Sequence, residues 1–204
     1  MKTRAPFFLL IAYLIFTSFI FKNDGIDIWT KQTTVHQAIA FEKSLNKELN
    51  LISMNVSVSE SIYPLVNKYD LANPVIVKRE QAGFLPLHAE YFFSKSDSVI
   101  RFISYNWERE SFGNFFKKQE MWKEESGKLK AYNAEYEKIK SALIVKLGKP
   151  NAEDLEPQIT KSDSGRGDYF TRKTIWENDK YHAKLTMIFE SMTYRIRWNY
   201  YWKN

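Results

Sequence analysis

The end of the chain alternates residue by residue. Across residues 194–203, Tyr194, Ile196, Trp198, Tyr200 and Trp202 fall on one side, and Arg195, Arg197, Asn199, Tyr201 and Lys203 on the other. A period of two belongs to a β-strand, whose successive side chains point to opposite faces. Apolar residues on one side and polar ones on the other require a sheet with one dry and one wet face, as antiparallel sheets allow. Residues 180–189 repeat the pattern, with Tyr181, Ala183, Leu185, Met187 and Phe189 opposite His182, Lys184 and Thr186. Asn178-Asp179 separates this strand from residues 170–177 as a tight hairpin would.

Further strands are expected at 75–77, 85–93 and 98–107, the last two joined across Ser94-Lys95-Ser96-Asp97. Helical spacing appears at 34–51, through Val35, Ala38, Ile39, Leu45 and Leu49, and a short helix is expected at 59–69, where Pro64 argues for a break. Residues 115–122 also read as a helix. The clearest helix covers 129–147, where Leu129, Tyr132, Tyr136, Ile139, Leu143 and Leu147 form one apolar stripe. Gly148 and Pro150 then supply a left-handed cap and a helix-incompatible residue. Residues 151–168 read as a polar connection.

At the other end, Lys2 and Arg4 precede an uncharged run at 5–21, which as a helix spans about 26 Å, near the lower limit for a bilayer core. Lys22, Asp24 and Asp27 follow it, so the positive-inside rule leaves the N-terminus in the cytoplasm and the rest outside. Thr17 and Ser18 among phenylalanines make a poor cleavage context. The expected organisation is a signal peptide or membrane anchor helix at 1–22, a linker at 23–33 and a single α+β domain at 34–204. That fold is an N-terminal hydrophobic helix followed by an antiparallel sheet packed against one long helix and shorter helices. Expected localisation is membrane-anchored with the domain on the periplasmic or extracellular side, or secreted after cleavage.

The helix ending in Lys146-Leu147-Gly148-Lys149-Pro150, a strand carrying Trp176 and two alternating strands after it resemble small exported bacterial modules of the β-lactamase-inhibitor-like fold. The resemblance covers roughly residues 129–204. It implies a module that binds other proteins, as outer-membrane assembly lipoproteins and protein inhibitors do, and it transfers no functional residue.

Chemistry is bounded mainly by exclusion. The chain has no cysteine, which removes disulfides, thiolate metal sites and a cysteine nucleophile. His36, His88 and His182 lie far apart in sequence, so no metal site is expected through them. The loop 163–168 has oxygen ligands and glycines but lacks the closing glutamate of a calcium hand. No phosphate-binding glycine loop or nucleophile elbow occurs, so neither a catalytic residue nor a cofactor is assigned.

Charge is uneven. Formal net charge is +6. From residue 169 onward Arg172, Lys173, Lys180, Lys184, Arg195, Arg197 and Lys203 outnumber Glu177, Asp179 and Glu190, whereas residues 26–168 are balanced. The candidate partner-binding residues are therefore Lys184, Arg195, Arg197, Asn199, Tyr201 and Lys203, on the wet side of the last two strands. Such a face suits an acidic protein or an anionic envelope polymer. Nucleic acid is not expected, because export places the face across the membrane from it. The expected function is a non-catalytic binding or assembly module of the cell envelope. The alternative is an envelope hydrolase working through carboxylates without a recognisable motif.

Overall fold

The computed structural model describes residues 26–45, 48–79, 85–108, 126–161, 168–190 and 193–204. Alternation at the chain's end becomes the middle of one antiparallel, nine-stranded sheet. Its strands are β1 (Asn50–Ile52), β2 (Val75–Arg79), β3 (Leu87–Phe93), β4 (Ile100–Glu108), β5 (Ala152–Glu153), β6 (Gln158–Thr160), β7 (Tyr169–Glu177), β8 (Tyr181–Glu190) and β9 (Thr193–Trp202). The spatial order is β1-β2-β3-β4-β9-β8-β7-β5, with β6 also paired to β7. The final strand thus lies between the β3–β4 hairpin and the β7–β8 hairpin, and it hydrogen-bonds to β4 and β8.

Register sorts the side chains. Tyr105 faces Trp198 and Ile103 faces Tyr200 across β4 and β9, while Leu185 faces Trp198 across β8 and β9. These residues share the dry face with Leu87, Ala89, Tyr91, Trp107, Ala183, Met187, Phe189 and Ile196, and all of them are buried. Aromatic rings dominate this core, with Trp198 lying 5.5 Å from Tyr105 and 5.4 Å from Tyr200. Large aromatic groups remove the most apolar surface per residue from water, so they supply much of the driving force.

Among the described residues two α-helices cover the dry face: α1 (Val35–Leu45) and α2 (Ser126–Leu147). The stripe on α2 buries Tyr132, Tyr136, Ile139 and Leu143 in the same cluster as the sheet residues. Tyr136 also shares a hydrogen bond of 2.7 Å with Thr174 of β7. The helix ends at Gly148, whose φ of 84° is left-handed. Its N–H donates to Ile144 at 2.9 Å, and its carbonyl accepts from the Trp176 indole at 2.9 Å. Val35 and Ala38 of α1 join the core. So does Ile28, from the segment read as a linker, and Trp29 donates its N–H to the Tyr105 hydroxyl at 2.9 Å.

Among the described residues, the other face is dry at one end only. Phe92 and Phe102 are buried there beneath Tyr63, with Val56, Val58, Ile62, Leu65, Val66, Tyr69 and Leu71 around them. Tyr69 reaches the chain's last residue, donating to the Asn204 carbonyl at 3.0 Å.

Several expectations are corrected. The α+β class with helices as a comparable layer gives way to a mostly-β fold, in which two α-helices are accessory to a sheet among the described residues. Strand pairing claimed segments that looked helical or irregular. The 34–51 helix stops at Leu45, and Asn50–Ile52 becomes β1 because β2 offers it a ladder. The 59–69 segment holds a 3-10 turn, Val66–Lys68, in place of an α-helix. The 151–168 connection contains β5 and β6 on the outer edge of β7. The transmembrane helix and signal anchor are set aside, since among the described residues no helix is long and apolar enough to cross a membrane. The apolar run 5–21, with the N-terminal hydrophobic helix expected from it, lies outside the described residues, as do the expected helix 115–122 and residues 163–167 of the loop 163–168.

Trp198→Ala is expected to cost about 3–5 kcal/mol in equilibrium denaturation, as truncating a large core aromatic does. Gly148→Ala should cost about 1–2 kcal/mol, because a Cβ there meets nothing within 4 Å and only the left-handed backbone resists it.

Candidate functional site

Period two puts the candidate residues on the face opposite the main core, and sheet register decides which of them meet. Three cross-strand rows matter. Glu90 of β3, Ser104 of β4, Asn199 of β9 and Lys184 of β8 form one row. Beside it run His88, Asn106, Arg197 and Thr186, and then Glu108, Arg195 and Ile188. Residues directly opposite in such rows have Cβ atoms about 5 Å apart, so the three rows form one polar field.

At its centre Asn106 is buried and works in both directions. Its amide nitrogen donates to Glu90 Oε1 at 2.7 Å and to Ser104 Oγ at 3.1 Å. Its carbonyl oxygen accepts from Arg197 Nε. One carboxamide therefore joins the carboxyl of Glu90 to the guanidinium of Arg197 with its dipole aligned to both charges. Thr186 adds a hydroxyl that donates to the Arg197 carbonyl at 3.3 Å. The Asn199 carboxamide oxygen is buried and has no partner among the described residues.

The electrostatics follow from burial. Desolvation raises the Glu90 pKa from 4.5 to about 7, against the pull of Arg197 and Arg195 and with a push from Glu108. Burial likewise lowers the Arg197 pKa, and the neighbouring Arg195 adds to that. A carboxyl and two guanidinium groups thus share a poorly hydrated surface on which charge of either sign is costly.

Of the six residues expected to bind a partner, the fold brings Lys184, Arg195, Arg197 and Asn199 together. Tyr201 lies among the apolar residues of the second cluster, 5.4 Å from Tyr63 and stacked on His182 at 5.1 Å. Lys203 pairs with Glu177 at 2.7 Å. Arg197 is half-buried and hydrogen-bonded to Asn106, so it is part of the sheet's polar framework as well as of its surface. Glu90, Ser104 and Asn106 were missed by sequence reasoning. Their signal was the alternation of β3 and β4, where Glu90 opposes Ala89 and Tyr91, and Asn106 opposes Tyr105 and Trp107. That signal assigns a face; it does not reveal which strand lies alongside.

A second polar cluster is buried on the core side. Glu42 of α1 makes a bidentate pair with Arg79 of β2, at 2.7 Å to Nε and 2.6 Å to Nη2. Tyr91 donates to Glu42, Tyr105 accepts from Arg79 at 3.2 Å, and the two tyrosine hydroxyls are 2.9 Å apart. Arg79 also donates to the Asp27 carbonyl. Glu42 is inaccessible to solvent, and its carboxylate is engaged on both oxygens, so this cluster clamps α1 and residues 27–29 to the sheet. Among the described residues no group of three or more His, Asp or Glu is placed to hold a metal. Compared with family models, curated proteins and solved structures, the chain finds no match in any of the three.

Glu42→Gln and Arg79→Met should each destabilise by about 3–5 kcal/mol, and the double variant by less than their sum, because each single change strands a buried charge. The polar field predicts an opposite kind of effect. Between pH 4.5 and 7 folded Glu90 keeps a proton that the unfolded chain has lost, so its contribution to stability falls as pH rises through about 7. Chemical denaturation across that range should show a loss of at most about 1.4 kcal/mol per pH unit that disappears in Glu90→Gln.

Proposed function

We propose that this protein is a non-catalytic binding module that takes an acidic partner on the sheet face carrying Lys184, Arg195 and Arg197. The observation that supports it is the convergence of these three cations from β8 and β9 on one surface, flanked by Lys173 of β7 and Lys78 of β2. The carboxyl groups in the same rows are those of Glu90 and Glu108. A positive surface of this kind attracts acidic groups over a Debye length and loses strength in salt.

The alternative of a carboxylate hydrolase draws support from Glu90, since a pKa of about 7 suits proton exchange near neutrality. Against it, Glu90 is hydrogen-bonded to an amide rather than to a nucleophile. Glu42, a fully buried carboxylate, is saturated by Arg79 and Tyr91.

Lys184→Glu combined with Arg195→Glu is the direct test, because both side chains are partly exposed and neither makes the Asn106 contact. The protein should be retained on immobilised poly-L-glutamate at low ionic strength and released by salt. The double variant should lose retention while its stability stays within about 1 kcal/mol of the parent. Equal retention of both proteins would remove this face as the binding surface.

A further inference from the structure

Within the positive face stands a carboxyl group that the binding reading does not use. Glu90 is half-buried and turned towards the cations, with Asn106 between it and Arg197. Resting on the proposed binding face, we infer that Glu90 is an internal competitor for the acidic group of the partner, joined to Arg197 through the Asn106 amide, so that partner binding is coupled to proton uptake by Glu90.

The geometry makes the coupling. An ionised Glu90 polarises the Asn106 amide towards Arg197 and satisfies part of that guanidinium's field. An incoming carboxylate near Arg195 and Arg197 then meets a like charge in a poorly hydrated setting, where repulsion is weakly screened. Protonation removes the competitor and leaves the cations to the partner, while Asn106 can still donate to the neutral acid. Linkage works in reverse as well: a bound anion favours the protonated form and moves its midpoint upwards. Because Glu90 changes charge at about pH 7, the coupling acts across neutrality.

The surroundings of Glu90 are specific enough to separate it from other titrating groups. On its own strand His88 shares the face, and Lys78 of β2 lies opposite His88. From β4 come Ser104, Asn106 and Glu108, from β9 Arg195, Arg197 and Asn199, and from β8 Lys184. Residues 56–71 contribute the apolar cover over Phe92 and Phe102. His88, Glu108 and, two residues from Lys184 on β8, His182 are other protonatable groups of this face, and variants isolate them.

The experiment measures affinity of the full chain for poly-L-glutamate at pH 6.0 and pH 8.0, where the polymer stays ionised, at one fixed low ionic strength. The wild type should bind about five- to tenfold more tightly at the lower pH. Glu90→Gln should bind at both pH values as the wild type does at pH 6.0. His88→Gln, Glu108→Gln and His182→Gln should each keep a pH-dependent affinity. Carbon-detected NMR of the Glu90 carboxyl should show its midpoint rising when the polymer is added. A pH dependence that survives in Glu90→Gln overturns the competitor, as does one abolished only by His88→Gln or only by His182→Gln. Binding that depends on Arg195 but is equal at the two pH values overturns the competitor and leaves the binding face standing. Failure to bind poly-L-glutamate at either pH overturns both.

Discussion

The fold depends on where the last strand goes. β9 pairs with β4 over residues separated by about ninety positions in the chain, and with β8 through a short turn. Remove that placement and the sheet falls into two parts, β1 to β4 and β5 to β8, each with an open edge and half a core. Such non-local pairing gains nothing until a long loop has closed, so it forms at a cost in chain entropy that local hairpins escape. The reward is concentrated at the seam, where Trp198 meets Tyr105 on one side and Leu185 on the other.

Once that seam exists, buried polar clamps position what lies on it. Arg79 ties α1 and residues near Asp27 to β2 through Glu42, and Tyr91 and Tyr105 complete the network from the sheet. At the other end Arg172 of β7 is almost wholly buried and contacts Asn133 and Glu137 of α2 together with the carbonyls of Asp154 and Leu155. In each case an arginine fork serves several acceptors at once, which is what planar guanidinium geometry permits. Neither clamp adds much net stability over an apolar substitute. They select one arrangement of helix and strand out of several that would bury similar area.

The polar face is a different use of the same chemistry. There the charges are not matched in bidentate fashion: Glu90 reaches Arg197 only through Asn106, and Arg195 adds a second positive charge nearby. Burial keeps the ionised carboxyl unfavourable, and the pull of Arg197 and Arg195 offsets that only in part. A fully paired network would be stable and silent. Here the same rows hold Lys184, Arg195 and Arg197 against the carboxyl groups of Glu90 and Glu108.

Period two in residues 180–203 was enough to assign both faces of β8 and β9, and the stripe on α2 with Gly148 behind it was enough to locate the long helix. Those are local properties, set by side-chain direction and backbone preference within a few residues. What the chain alone did not determine was how much of it would become sheet. Asn50–Ile52, Ala152–Glu153 and Gln158–Thr160 have weak or misleading local signals and are strands because β2 and β7 present open edges beside them. The site divides the same way. Arg195, Arg197, Asn199 and Lys184 were legible as a polar face, but the meeting of Glu90, Asn106 and Arg197 required β3 and β4 to lie against β9. Only tertiary structure decides that, because hydrogen-bonded ladders are satisfied by whichever strand the whole core brings alongside.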